Sequence, residues 1–122
     1  MSILVAVTDS KEGQEALVSA ARVAARLGVG LVAVNLTSAD LDTSSLAPGV
    51  SYEVVLRDES VDFDEVEQVL QALEDRPEAT LLVVGIRKRS PLGKAVLGSI
   101  AQRLILEAPV PVLAVKVLGR LS

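Results

Sequence analysis

Cysteine, histidine and tryptophan are all missing from these 122 residues, and aromatic side chains make up 2% of them. Without cysteine or histidine there are no disulfides, no thiolate nucleophile, no Cys- or His-ligated zinc and no histidine general base. One Phe and one Tyr do not make the ring platforms on which RNA-binding folds stack bases. No apolar run approaches the ~20 residues of a membrane span. The start, Met1-Ser2-Ile3-Leu4-Val5, has neither the charged region nor the cleavage site of a signal peptide. A cytoplasmic protein without a membrane partner is expected.

Half of the residues are hydrophobic, so the core must be built from Val, Leu, Ile and Ala. Such a composition suits parallel strands covered on both faces by alanine-rich helices. The length fits one domain, spanning residues 1–122.

The net charge of −4 conceals an asymmetry. Residues 53–78 hold ten acids against Arg57 and Arg76. From residue 79 onward Glu107 is the one acid, facing seven cations, four of them (Arg87, Lys88, Arg89, Lys94) within eight residues. The acidic stretch reads as the solvated face of one helix. The basic cluster is compact, which suits one small anion better than the long stripe that nucleic acid needs.

Along the chain, residues 3–7 and 31–36 form continuous apolar runs, read as buried strands. Between them Leu17, Ala20, Ala21, Ala24 and Leu27 mark a helix that Gly28 ends. Asp9 with Glu12 has the spacing of a capping box at its start. Residues 37–50 show no period and read as loop, and residues 51–56 alternate like an edge strand. Phe63, Val66, Val69, Leu70 and Leu73 make a second helical stripe, with Pro77 after its end. Residues 81–84 form a fourth strand, and Ser99 with Gln102 gives a capping-box spacing for a third helix that stops before Pro109. Residues 110–117 form the last strand.

This order predicts an open, doubly wound α/β sheet of five parallel strands in the order 3-2-1-4-5. Ligands bind such sheets at the carboxyl ends of the strands where the order reverses, here between strands one and four. The two loops that meet there are Thr8-Asp9-Ser10 and residues 85–99, which carry the polar and glycine signals. In the second loop, glycines and cations stand between a strand and a helix N-terminus, an arrangement suited to phosphate. Gly93-Lys94 is not a Walker motif, because Ala95 follows the lysine and Lys88 stands where the first glycine belongs.

These residues resemble the universal stress proteins, small Rossmann-like domains of the adenine-nucleotide alpha-hydrolase type. The family's phosphate loop reads Gly-x2-Gly-x9-Gly-Ser/Thr after strand four, and Gly85, Gly98 and Ser99 match it in register. Val7-Thr8-Asp9 matches the end of the family's first strand, and Leu36 matches a residue beside the base. The resemblance spans essentially the whole chain, although residues 37–50 are shorter than the insertion many members carry.

The resemblance implies a non-catalytic sensor that binds ATP or AMP, with or without magnesium. Adenine would lie near Val7, Leu36 and Val84, ribose at Asp9, and phosphates at Gly85, Lys88, Gly98 and Ser99, with Thr8 and Ile100 as further nucleotide-binding residues. Arg87, Arg89 and Lys94 are further phosphate candidates. No catalytic residue, resident metal or redox cofactor is implied.

The sequence departs from the motif at Lys88, which replaces the second glycine. If that position needs positive φ, lysine costs ~1 kcal/mol or more. Charge-assisted hydrogen bonds from the cations oppose this with roughly 1.5–3 kcal/mol each.

Each candidate also has a purely structural reading. Asp9 and Ser99 serve equally as helix caps, and Gly98 equally as a packing glycine. The last strand would be an apolar edge needing cover. The family pairs it with a second copy, so a homodimer through residues 110–117 is expected. The alternative function is a dimeric interaction module that does not bind nucleotide. A phosphoacceptor receiver is disfavoured, because receivers cluster acids after strand one and only Asp9 follows it here.

Overall fold

The computed structural model describes residues 1–88 and 95–118. The first strand, β1 (Ser2–Val7), has six residues, all buried. Its alternating side chains serve two layers. Ile3, Val5 and Val7 face one core and Leu4 and Ala6 the other.

Helix α1 (Lys11–Leu27) covers the first face with Ala16, Leu17, Ala20, Ala21 and Ala24. Four alanines in this stripe let the helix axis approach the sheet closely. Gly28, at φ 66°, closes the helix in the left-handed conformation that glycine adopts without a steric penalty. Strand β2 (Gly30–Asn35) then pairs in parallel with β1.

Residues 37–50 contain no helix or strand, as expected, and the flanking strands stop one residue short of them, at Asn35 and Tyr52. The segment is not loose cover, however. Leu41, Leu46, Ala47 and Val50 pack against the α1-side core. Strand β3 (Tyr52–Leu56) pairs with β2 and forms one sheet edge. Helix α2 (Glu65–Glu74) starts with a full capping box, Asp64 accepting from the Glu67 N–H while Glu67 accepts from the Asp64 N–H. Gln68, a buried polar residue, clamps the approach to this helix: its amide donates to Asp58 O at 3.0 Å and its oxygen accepts from Asp58 N at 3.2 Å.

Strand β4 (Ala79–Lys88) crosses the molecular centre, next to β1 on one side. A two-residue strand, β5 (Ala95–Val96), pairs antiparallel with Arg87 and Lys88. Helix α3 (Ser99–Glu107) and strand β6 (Val112–Leu118) complete the chain, with β6 parallel to β4. The five long strands therefore run β3-β2-β1-β4-β6, all parallel, in the expected order. Helices α2 and α3 cover the second face, where Val66, Val69, Leu73 and Leu104 pack on Leu4 and Leu82.

Several expectations are corrected. The fourth strand does not stop at Val84 but continues to Lys88, because Arg87 and Lys88 pair on both sides, with β6 and with β5. The short β5 is an addition to the five-stranded plan. The last strand begins at Val112 rather than residue 110, since Pro111 lacks an N–H to donate. The acidic stretch is not one helix face: Glu53 lies in β3 and Asp58, Glu59 and Asp62 in the connection before α2. Both sheet edges carry exposed apolar side chains, Tyr52 and Leu56 on β3 and Leu113 on β6.

Candidate functional site

The carboxyl ends of β1 and β4 diverge because β4 outruns its pairing with β1, which ends at Val5 and Val83. Into that gap turns the segment Thr8-Asp9-Ser10. Ser10, not Asp9, caps α1: its Oγ accepts from the Gly13 N–H at 3.1 Å. The same Oγ lies 2.8 Å from Thr8 Oγ1. The capping-box reading of Asp9 with Glu12 is thus corrected, and Asp9 stays exposed with its carboxylate outside the helix cap.

Two glycines seat the start of α1 directly on the sheet. A Cβ on Gly13 would lie 2.6 Å from Thr8 N and 2.7 Å from Thr8 Oγ1. One on Gly85 would lie 2.6 Å from the Glu12 carbonyl carbon. Gly85 thereby serves close helix–strand packing. The close seating also brings Glu12 to Arg87, whose Nε (3.1 Å) and Nη2 (2.9 Å) both donate to Glu12 Oε1.

Helix α3 begins opposite. Its N-cap is Gly98 (φ −66°, ψ 162°), which has no side chain with which to cap the helix. The expected capping box of Ser99 and Gln102 is therefore corrected: Ser99 is the first helical residue, one position too late to cap, and Gln102 donates its backbone N–H to Gly98 O at 3.0 Å. The first-turn N–H groups of Ser99, Ile100 and Ala101 have no intrahelical acceptor, as at any helix start, and point toward incoming groups. Among the described residues a Cβ on Gly98 would meet nothing within 4 Å, so packing against them does not explain this glycine.

These pieces enclose a cleft of about 350 Å³ between the start of α1, the end of β4 and the start of α3. Thr8, Val84, Gly85, Arg87, Gly98, Ser99 and Ile100 of the expected residues line it. Asp9 and Leu36 do not; they line a second, more polar cleft of about 540 Å³ over the ends of β2 and β3. The turn of residues 8–10 is the wall between the two, with Thr8 and Ser10 facing one cleft and Asp9 the other. In the second cleft Asn35 is buried and fixes the loop, donating to Ala39 O at 2.8 Å and accepting from Thr37 N at 2.9 Å. Val7 is buried beneath the turn and lines neither cleft.

Lys88 lines neither cleft. It sits in β4, and among the described residues no non-glycine has positive φ. The steric objection to lysine at this motif position therefore disappears, because the strand continues where the motif glycine would turn. Arg89 and Lys94 lie outside the described residues.

Sequence reasoning missed Ser10, Glu12, Val96, Ala101 and Leu104, which also line the first cleft. The Ser10–Gly13 spacing, an N-cap acceptor three residues before its donor, was the available signal for Ser10. Beside the cleft, Arg103 on α3 donates to Asp64 at 2.9 Å and to Glu107 at 3.1 Å. The Glu67 N–H and Arg103 together hold the Asp64 carboxyl below the usual aspartate range.

The family model described as universal stress protein family matches residues 49–116. A universal stress protein of Mycolicibacterium smegmatis is 40% identical over 126 aligned positions, covering 93% of this chain and 96% of the relative. The chain belongs to the universal stress protein family. Among solved structures of the family, one from Archaeoglobus fulgidus superposes with a TM-score of 0.68 at 29% identity, covering 95% of this chain and 98% of that one. A second Archaeoglobus fulgidus structure, in complex with dAMP, gives 0.67 at 23% identity, covering 95% and 98%. A universal stress protein in complex with cAMP gives 0.59 at 19% identity, covering 94% and 95%. Family membership accounts for the sheet order and for the two loops that meet at its switch point.

Proposed function

We propose that this universal stress protein is a non-catalytic adenine-nucleotide sensor. The uncapped start of α3 carries the reading: three backbone N–H groups without intrahelical acceptors open into a cleft at the sheet's switch point. At Gly98 no described residue lies within 4 Å of where a Cβ would stand. In this reading a phosphate of AMP or ATP sits at Gly98, Ser99 and Ile100, and the base and ribose extend past Thr8 toward Asp9 and Leu36. Asp9, freed from capping, is the ribose acceptor. Proteins of the same fold solved with dAMP and cAMP support a nucleotide as the ligand class.

Among the described residues no group of three or more acidic side chains is placed to hold a metal ion. The described lining of the α3 cleft contains one carboxylate, Glu12, and it is paired to Arg87. The protein would act in the cytoplasm as a homodimer joined through β6, nucleotide binding changing a surface that a partner reads.

Calorimetric titration of AMP and ATP into nucleotide-stripped protein, with and without magnesium, tests this directly. The expected result is a dissociation constant in the micromolar range, on the order of −8 kcal/mol. Absence of binding up to about millimolar nucleotide overturns it.

The second reading is a dimeric interaction module that has lost the nucleotide. The observation favouring it is that Arg87, the cation lining the cleft among the described residues, already holds a carboxylate. Failure to bind nucleotide together with a dimer in solution selects that reading.

A further inference from the structure

The nucleotide reading leaves open how many phosphates the cleft accepts, and the wall opposite α3 bears on that question. Resting on that reading, we propose that Glu12 restricts the cleft to nucleotides with a single phosphate, so that a nucleoside monophosphate binds more tightly than the triphosphate.

Among the described residues lining the cleft, Glu12 supplies the negative charge and Arg87 the positive one. The two are not independent. Both guanidinium contacts of Arg87 converge on Glu12 Oε1, at 3.1 and 2.9 Å. The carboxylate is the more enclosed partner, its side chain 18% exposed against 56% for Arg87.

Nor is Glu12 free to withdraw. Its main chain rests on Gly85, where even a Cβ would clash with the Glu12 carbonyl carbon at 2.6 Å. Its position in the first turn of α1 is fixed by the Ser10 cap two residues earlier. The carboxylate therefore belongs to the wall of the cleft, and the guanidinium that would otherwise receive an anion is already neutralised.

In this reading a first phosphate sits at the N–H groups at the start of α3, on the other face of the sheet from α1. Each further phosphate adds negative charge to a cleft whose carboxylate, among the described residues, is Glu12, and in this reading it meets Glu12 or displaces it from Arg87. Two like charges roughly 6 Å apart in a partly solvated cleft disfavour each other by about tenfold or more in affinity. Replacing the carboxylate by an amide removes that repulsion and releases Arg87 to a phosphate.

The test is calorimetry without magnesium, with AMP and ATP as probes, on the wild type, Glu12→Gln and Glu15→Gln. Glu15 lies exposed on the same helix, away from the cleft, and controls for a general change in charge. We expect the wild type to favour AMP by about tenfold. Glu12→Gln should tighten ATP by about tenfold while moving AMP no more than about twofold, and Glu15→Gln should match the wild type. Wild-type protein that binds ATP as tightly as AMP overturns the proposal whether or not the variant folds. So does a Glu12→Gln variant that shifts both nucleotides equally, or neither. If neither nucleotide binds the folded wild type, the nucleotide reading itself fails and this proposal fails with it.

Discussion

Glu12 closes over Gly85 so tightly that a Cβ there would lie 2.6 Å from the Glu12 carbonyl carbon and 2.9 Å from its Cβ. The first of these neighbours is backbone at the start of a helix and cannot swing aside. Gly85→Ala should therefore force α1 off β4, at a cost of about 1–3 kcal/mol. Urea denaturation measures it. A loss under about 0.5 kcal/mol would show that the helix start has room to retreat.

Gly98 behaves oppositely. It caps α3 with φ −66°, a value any residue adopts, and no described residue fills the space where a side chain would go. Gly98→Asp supplies the missing cap and places a negative charge at the positive end of the helix. The folded state should gain about 0.5–1 kcal/mol. The same carboxylate occupies the proposed phosphate position, so AMP affinity should fall by about tenfold or more. A variant that is more stable yet binds AMP unchanged would move the phosphate elsewhere.

Asp9 and Ser10 are neighbours with separable duties. Ser10→Ala loses the acceptor for the Gly13 N–H and the contact to Thr8 Oγ1, and should cost ~1 kcal/mol of stability. Asp9→Ala touches no cap and should change stability by less than about 0.5 kcal/mol, while weakening AMP through loss of the ribose acceptor. Thermal unfolding and calorimetry on the two variants separate these outcomes. Equal loss of stability in both would mean that Asp9 also anchors the turn.

Asp64 links α2 to α3 through its cap on Glu67 and its ion pair with Arg103. Its carboxyl is held below the ordinary range, first by the Glu67 N–H and then by Arg103. A carboxylate depressed in the folded state stabilises fully above its unfolded pKa, and that stabilisation fades as pH falls through the lowered folded value. Asp64→Asn keeps the capping oxygen but loses the charge. The variant should be less stable than the wild type at neutral pH, and the difference should shrink as pH falls from the ordinary aspartate range through the lowered folded value. Urea midpoints across that range decide it; a constant difference would assign the effect to the cap rather than to the charge.

The sheet order was legible because the apolar runs of β1 and β2 are unbroken and because short parallel crossovers leave few topologies. The helix stripes were legible for the same reason of period. What the sequence concealed lies at the element ends. Asp9 and Ser10 are both good caps, and which one sits at the cap position depends on Gly13 pressing against Thr8, a contact between a helix and its own preceding turn. Lys88 looked misplaced in a glycine motif, yet β4 simply continues through it, held by β5 and β6 on either side. The pairing of Arg87 with Glu12 joins residues 75 positions apart, and no local pattern announces it.

The β6 edge carries the remaining prediction. Strand β6 pairs with β4 on one side, and among the described residues no other strand pairs with it. Leu113 is 40% exposed on that strand. An unpaired parallel edge bearing apolar side chains tends to recruit another strand, and a second copy of β6 across a two-fold axis satisfies both sets of backbone groups at once. Sedimentation should therefore give twice the 12.8 kDa chain mass. Leu113→Glu puts a charge on the edge strand that the proposed interface joins, and should yield a folded monomer with unchanged circular dichroism. Because the α3 cleft draws on β4, α1 and α3 of one chain, AMP affinity should survive the split. A wild-type monomer would sink the proposed interface, and a monomeric variant that no longer binds AMP would show that the second copy supports the cleft.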